Sequence, residues 1–142
     1  MSNKYKEYLT DKRIIIVGPS PYLLNDEQKD FIDSFDIVCR IKKSYPVPTK
    51  LKIKLGTRTD ILISHLKLNG YGYNQNNFKI YDNYVFNRLK YILFPYPKAD
   101  NYNSFYREYQ LNCKDIKTPI ICQNDKTKLD ELKLELNGYS PT

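Results

Sequence analysis

The stretch Arg13-Ile14-Ile15-Ile16-Val17-Gly18-Pro19-Ser20-Pro21-Tyr22 governs how the rest of the chain is read. Four consecutive β-branched residues favour a pleated strand, and an unbroken apolar run of this length suits a buried strand of a parallel sheet. Gly18 ends the run, where a residue without a side chain lets the backbone turn sharply and lets an anion approach its N–H groups. Many nucleotide sites begin this way. Ligands of open α/β sheets bind beyond the carboxyl ends of the strands, so Gly18 to Tyr22 lies in the expected crevice if Ile14 to Val17 is a central strand.

Strand and helix signals alternate downstream. Asn25 or Asp26 is the expected cap of a helix reaching Phe35, with Phe31, Ile32 and Phe35 on one face. Asp36 to Ile41 reads as a second strand. Ser44 to Lys54 contains Pro46 and Pro48, which predicts a loop. Gly56 sits in the turn that delivers the chain to a third strand, Asp60 to Ser64. A Gly-, Asn- and Tyr-rich loop is expected over Asn69 to Asn77, a short helix over Asn83 to Lys90, and a strand over Tyr91 to Phe94 stopped by Pro95. Ser104 to Leu111 reads as a helix, Thr118 to Cys122 as a strand, and Asp125 to Asn137 as an amphipathic helix with Leu129, Leu132 and Leu136 on one face and Gly138 as its C-cap. This alternation predicts an α/β fold, Rossmann-like, with a mostly parallel sheet flanked by helices. The 142 residues suit one domain, since about 100–200 residues per domain is typical.

Lys and Arg number 23 against 16 Asp and Glu, a formal charge of +7. The cations are scattered, with only Lys42-Lys43 and the Lys50-x-Lys52-x-Lys54 alternation standing out, and an A/T-rich genome produces the same abundance of Lys, Asn, Ile and Tyr. A positive field draws anionic ligands but says nothing about fold. Cys39, Cys113 and Cys122 are odd in number and lack Cys-x-x-Cys spacing, which indicates neither a zinc site nor a disulfide framework and fits reduced thiols in the cytoplasm. No Asp-x-Asp and no metal-ligand spacing occurs. No run approaches the roughly 20 apolar residues of a membrane span, and the first residues lack the apolar core of a signal peptide. A soluble protein is expected.

Three segments in register carry a family resemblance: Val17-Gly18-Pro19-Ser20, then Ile32-Asp33 through Asp36 and Val38 to Arg40, then Leu55-Gly56-Thr57-Arg58-Thr59. Their order resembles the large sialyl motif of the sialyltransferases, glycosyltransferase family 29, over roughly a third of the chain. The chain's last residues, Ser140-Pro141-Thr142, are similar to the start of that family's small sialyl motif. The resemblance implies a glycosyltransferase-A type fold, here incomplete: residues 1–142 would be the N-terminal, donor-binding part of a truncated glycosyltransferase domain. It further implies a CMP-sugar donor such as CMP-sialic acid, a glycan acceptor, no metal and no other cofactor, and an inverting displacement. The family's general base is a histidine well downstream of the small motif. His65, the sole histidine, does not map onto it and reads as a structural or cleft-edge residue.

The donor-binding residues implied are Gly18, Pro19, Ser20, Arg40, Lys42, Gly56, Thr57 and Arg58. Each has a plainer reading. Gly18 to Ser20 equally makes an ordinary strand-to-helix turn, and Pro19 stands where many relatives have Asn, so it offers neither amide nor N–H. Asp33 and Asp36 suit backbone N–H groups in turns better than paired acid–base work. Arg40 presents a planar fork to a phosphate, or pairs internally with Asp33, Asp36 or Asp60. Lys42 replaces an expected Asn; it can meet a phosphate but cannot accept from a sugar or base. Thr57 and Thr59 can bond turn amides, and Arg58 either braces the loop or reaches the nucleotide.

Two rivals stand beside the glycosyltransferase reading. One is a non-catalytic nucleotide- or nucleic-acid-binding α/β domain using its tyrosines and basic surface, although no RNA-module signature is present. The other is a folded remnant that binds no nucleotide, suggested by Pro19 and Lys42 together.

Overall fold

A computed structural model describes residues 3–41, 44–64, 86–95, 107, 109–111 and 114–123. Five strands, β1 (Ile14–Val17), β2 (Ile37–Ile41), β3 (Ile61–Ile63), β4 (Tyr91–Pro95) and β5 (Ile120–Gln123), form one sheet in which every pairing is parallel. The protein is an α/β fold of Rossmann-like type, a parallel sheet flanked by helices. All five strands fall where the Ile- and Val-rich runs predicted them, within two residues at each end. Pro95 extends β4 by one residue instead of stopping it, in register with Gln123.

The strand order is sequential, β1-β2-β3-β4-β5, with no reversal among the described residues. Parallel register carries one row of side chains across the sheet, Val17, Arg40, Leu62, Ile92 and Ile120, all on one face. On that face Val17 and Val38 pack against Ile32 and Leu23, while Leu62, Ile92 and Phe94 pack against Phe86, Leu89, Tyr45 and Tyr109. The described parts of the crossovers, Leu23, Ile32, Tyr45, Phe86, Leu89 and Tyr109 among them, therefore lie on one face, as successive connections of one hand require when the order does not turn back.

The opposite face carries Ile37, Cys39, Ile61, Ile63, Tyr91 and Leu93. Helix α1 (Asn3–Leu9) covers it with Tyr5, Tyr8 and Leu9, and Tyr5 meets Tyr91 edge-to-face at 5.0 Å. This helix was not anticipated, although Tyr5, Tyr8 and Leu9 stand at helical spacing.

Three expectations are corrected. First, Ile14 to Val17 is neither central nor buried along its length: among the described residues β1 pairs only with β2, and Ile14 is 39% and Ile16 59% exposed. A sequence run shows apolarity, but the neighbours that bury it are tertiary.

Second, no single helix runs from Asn25 to Phe35. Ser20 caps a 3-10 turn, Pro21–Asn25, whose start Pro21 favours; Asp26 is extended, and α2 occupies only Lys29–Asp33. Its Ile32 is buried, but Phe31 points outward and stacks edge-to-face on Phe35. Third, the segment read as a loop holds a 3-10 turn, Thr49–Leu51, leading into α3, Lys52–Leu55. Pro48 precedes the first turn as its cap, a position that requires no N–H from it.

The loop over Asn69 to Asn77 and the helix over Asp125 to Asn137 lie outside the described residues. Of the helices expected over Asn83 to Lys90 and Ser104 to Leu111, residues 86–87, 107 and 109–111 are helical. No helix among the described residues is long and apolar enough to cross a membrane.

Candidate functional site

The residues of the motif separate to the two ends of the strands. Gly18, Pro19 and Ser20 follow β1 and lie at the carboxyl edge of the sheet, whereas Gly56, Thr57 and Arg58 precede β3 and lie at the amino edge. Arg40 stands within β2, and Lys42 and His65 fall outside the described residues. The seven of the eight implied donor-binding residues that are described therefore do not converge on one cleft.

At the amino edge, Asp33 ends α2 and turns its carboxylate onto the loop before β3. It accepts from the Thr57 N–H at 3.0 Å, the Thr57 hydroxyl at 2.7 Å and the Arg58 N–H at 3.3 Å. Burial pulls its carboxyl upward, but the bonds from Thr57 and Arg58, aided by Lys29, outweigh it and hold the pKa below the ordinary value. Asp60 accepts from the Val38 N–H at 2.8 Å and from Arg58 Nε at 3.1 Å. The Arg58 guanidinium also donates to the carbonyls of Asp33 and Phe35. Asp36 accepts from the Arg13 N–H at 2.8 Å. The two aspartates that resembled a catalytic pair are thus clamps on backbone N–H groups, and Arg58 makes the bracing contacts.

Arg40 is fully buried between Val17 and Leu62 in the row across the sheet. Its guanidinium donates to Thr59 Oγ1 at 2.8 Å and to the carbonyls of Leu55 at 2.7 Å and Arg58 at 3.0 Å. The carboxylates of Asp33 and Asp60 accept from the surrounding N–H groups of Val38, Thr57 and Arg58. Gly56 is where this packing demands glycine. Its φ is +84°, and an added Cβ would stand 2.9 Å from Asp33 Oδ1, 2.9 Å from Ile32 and 3.2 Å from the Arg40 guanidinium. The motif's second and third segments meet in space as one hydrogen-bonded unit linking α2, β2 and the loop before β3.

The carboxyl edge is built differently. Gly18 is half-buried, Pro19 and Ser20 are exposed, and a Cβ added to Gly18 would meet nothing within 4 Å among the described residues. Gly18 does not adopt the left-handed conformation, so the turn does not itself require glycine; what the missing side chain leaves is open space beside the backbone. Ser20 Oγ accepts from the Tyr22 N–H at 3.4 Å.

Two hydroxyls not anticipated from sequence also mark this edge. Ser44 Oγ closes the end of β2, accepting from the Ile41 N–H at 3.0 Å and donating to its carbonyl at 2.7 Å. Ser64, buried, follows β3 and donates its N–H to the Leu93 carbonyl at 3.0 Å. Serines at the ends of apolar strands were the available signal. Among the described residues no group of His, Cys, Asp or Glu is placed to hold a metal. No protein-family model and no curated protein matches the chain.

Proposed function

We propose that the chain is the donor-binding part of a sialyltransferase-like glycosyltransferase, with the phosphate of a CMP-activated sugar received at the Gly18 to Ser20 turn. The observation that supports this most is that nothing among the described residues stands within 4 Å of a Cβ added to Gly18, at the carboxyl end of the parallel strands, the end at which α/β sheets take their ligands, here on an edge strand with no switch in strand order beside it. The Gly18 and Ser20 N–H groups and the Ser20 hydroxyl are the donors available to a phosphate there, since Pro19 has no N–H. Gly56, Thr57, Arg58 and Arg40 serve this reading indirectly, by fixing β2 and the chain entering β3.

In the reaction proposed, an acceptor glycan hydroxyl loses its proton to a base and attacks the anomeric carbon of the donor. The bond to the CMP oxygen breaks and configuration inverts. Donors at the turn would stabilise the charge growing on the departing phosphate. A reducing, cytoplasmic setting is part of the proposal, supported by the free thiols of Cys39 and Cys122.

Calorimetric titration with CMP tests it, with UDP and single-stranded RNA as controls. Saturable CMP binding is expected, with UDP weaker and loss of binding in Gly18→Leu, which fills the open space without straining φ. A folded protein that ignores CMP would sink the reading. Salt-steep binding of RNA alone would favour the nucleic-acid-binding alternative.

A further inference from the structure

The outer edge of β1 carries the largest concentration of exposed apolar side chains next to unpaired strand backbone among the described residues. Arg13 O accepts from the Ile37 N–H, so residues 13, 15 and 17 turn their backbone groups toward β2. Ile14 and Ile16 then turn theirs outward, where no described strand pairs with them. Their side chains lie on the face opposite α2, exposed by 39% and 59%. Phe31, 60% exposed, lies on the flank of α2 away from α3, because Asp33, two residues along the helix, faces Thr57. An edge strand of this kind, with no charge, proline or bulge inside it, is a template for pairing.

We propose that this edge pairs with the same edge of a second copy, β1 antiparallel to β1 about a two-fold axis through Ile15. In that register Ile14 of one copy stands opposite Ile16 of the other, and both are the residues whose N–H and C=O groups point outward. The strand is thus self-complementary in hydrogen bonding, and the four exposed isoleucines meet on one face of a sheet continuous through the described strands of both copies. Moving the axis to Ile14 sets Lys12 against Ile16, which the register about Ile15 avoids. In the two-fold register Lys12 of one copy stands opposite Gly18 of the other, so no like charges oppose each other despite the net +7. On the other face the two α2 helices flank the axis, each presenting Phe31. The register also brings Lys12 of the second copy beside the open space at Gly18. That consequence bears on the donor site, but the pairing stands whether or not a nucleotide binds.

A four-residue edge is short, and stable interfaces bury about 1,200 Å² or more, so the association is concentration-dependent and not obligate. Sedimentation equilibrium of the whole chain over a hundred-fold concentration range tests it, with far-UV circular dichroism confirming that each variant is folded. The expected result is a monomer–dimer equilibrium that Ile16→Lys and Ile14→Lys each shift toward monomer by at least ten-fold in Kd, while Leu111→Lys, a substitution at an exposed residue outside the sheet, leaves it unchanged. A monomer at every concentration would overturn the proposal, because the edge then belongs to some other occupant. A dimer indifferent to both isoleucine substitutions would overturn it equally.

Discussion

Replacing Gly56 by alanine strikes the unit that joins α2, β2 and the loop before β3, and its cost follows from the geometry. With φ at +84° and ψ at 167°, Gly56 occupies backbone space that L-residues rarely enter, a strain of about 1–3 kcal/mol for a residue held there. The new Cβ would also be driven to 2.9 Å from a carboxylate oxygen and from a buried isoleucine methyl. Neither neighbour can retreat easily: Asp33 is fixed by Thr57 and Arg58, and Ile32 is buried against Val17 and Val38. Overpacking of this kind costs about 1–3 kcal/mol. The two effects overlap, since one shift relieves both, and about 3 kcal/mol is expected for Gly56→Ala.

Urea unfolding reads this directly. With a slope of about 2 kcal/mol per molar, the midpoint should fall by about 1.5 M at unchanged slope. Gly18→Ala is the internal control: its Cβ meets nothing among the described residues and its φ is not in the left-handed region, so its midpoint should stay close to the parent's. Equal midpoints for the two alanine variants, or a Gly56→Ala protein as stable as the parent, would refute the reasoning.

Two further predictions concern titrating groups. The folded pKa of Asp33 is depressed, so its contribution to stability is present above the unfolded carboxylate pKa of about 3.9 and is lost as pH falls through the lower folded value. Asp33→Asn should therefore cost about 1.5–3 kcal/mol at pH 7, and its deficit should shrink below pH 4 in parallel urea titrations; a deficit that grows on acidification would contradict the assignment. Cys39 is buried, and burial together with the charge of Asp60 pushes its thiol up to about 11. Since the thiolate is the reactive form, iodoacetamide at pH 8 should leave the Cys39 peptide unmodified in the native protein and label it rapidly in urea, as read by mass spectrometry; equal rates would show that the thiol is not enclosed.

How far the chain can be read without its fold is clearest at particular residues. All five strands were legible because runs such as Ile14 to Val17 and Ile61 to Ile63 are short, apolar, rich in β-branched residues and bounded by turn residues. The clamping role of Asp33 was legible too, since a carboxylate beside a helix end naturally seeks N–H groups. The break between the 3-10 turn and α2 was not, because Asn25, Asp26 and Gln28 are all acceptable near a helix start and packing of Ile32 against Val17 and Val38 selects among them. Nor was α1: seven residues do not hold a helix in water, and Tyr5 finds its partner, Tyr91, only across the folded sheet.

Of the candidate site, the sequence grouped eight residues, and the tertiary structure set the Gly18 turn and the Gly56 loop at opposite ends of the strands. Local chemistry alone specified an α/β protein with parallel strands and placed glycines at two turns. Only the folded chain distinguished those glycines: Gly56 is enclosed by Asp33, Ile32 and Arg40, while Gly18 faces no neighbour among the described residues. It alone set β1 at the edge among the described strands and left Ile14 and Ile16 uncovered. The physical reason is common to these cases. Strand propensity and turn chemistry act over a few neighbouring residues, whereas strand order, burial and the space around an atom depend on segments distant in the chain.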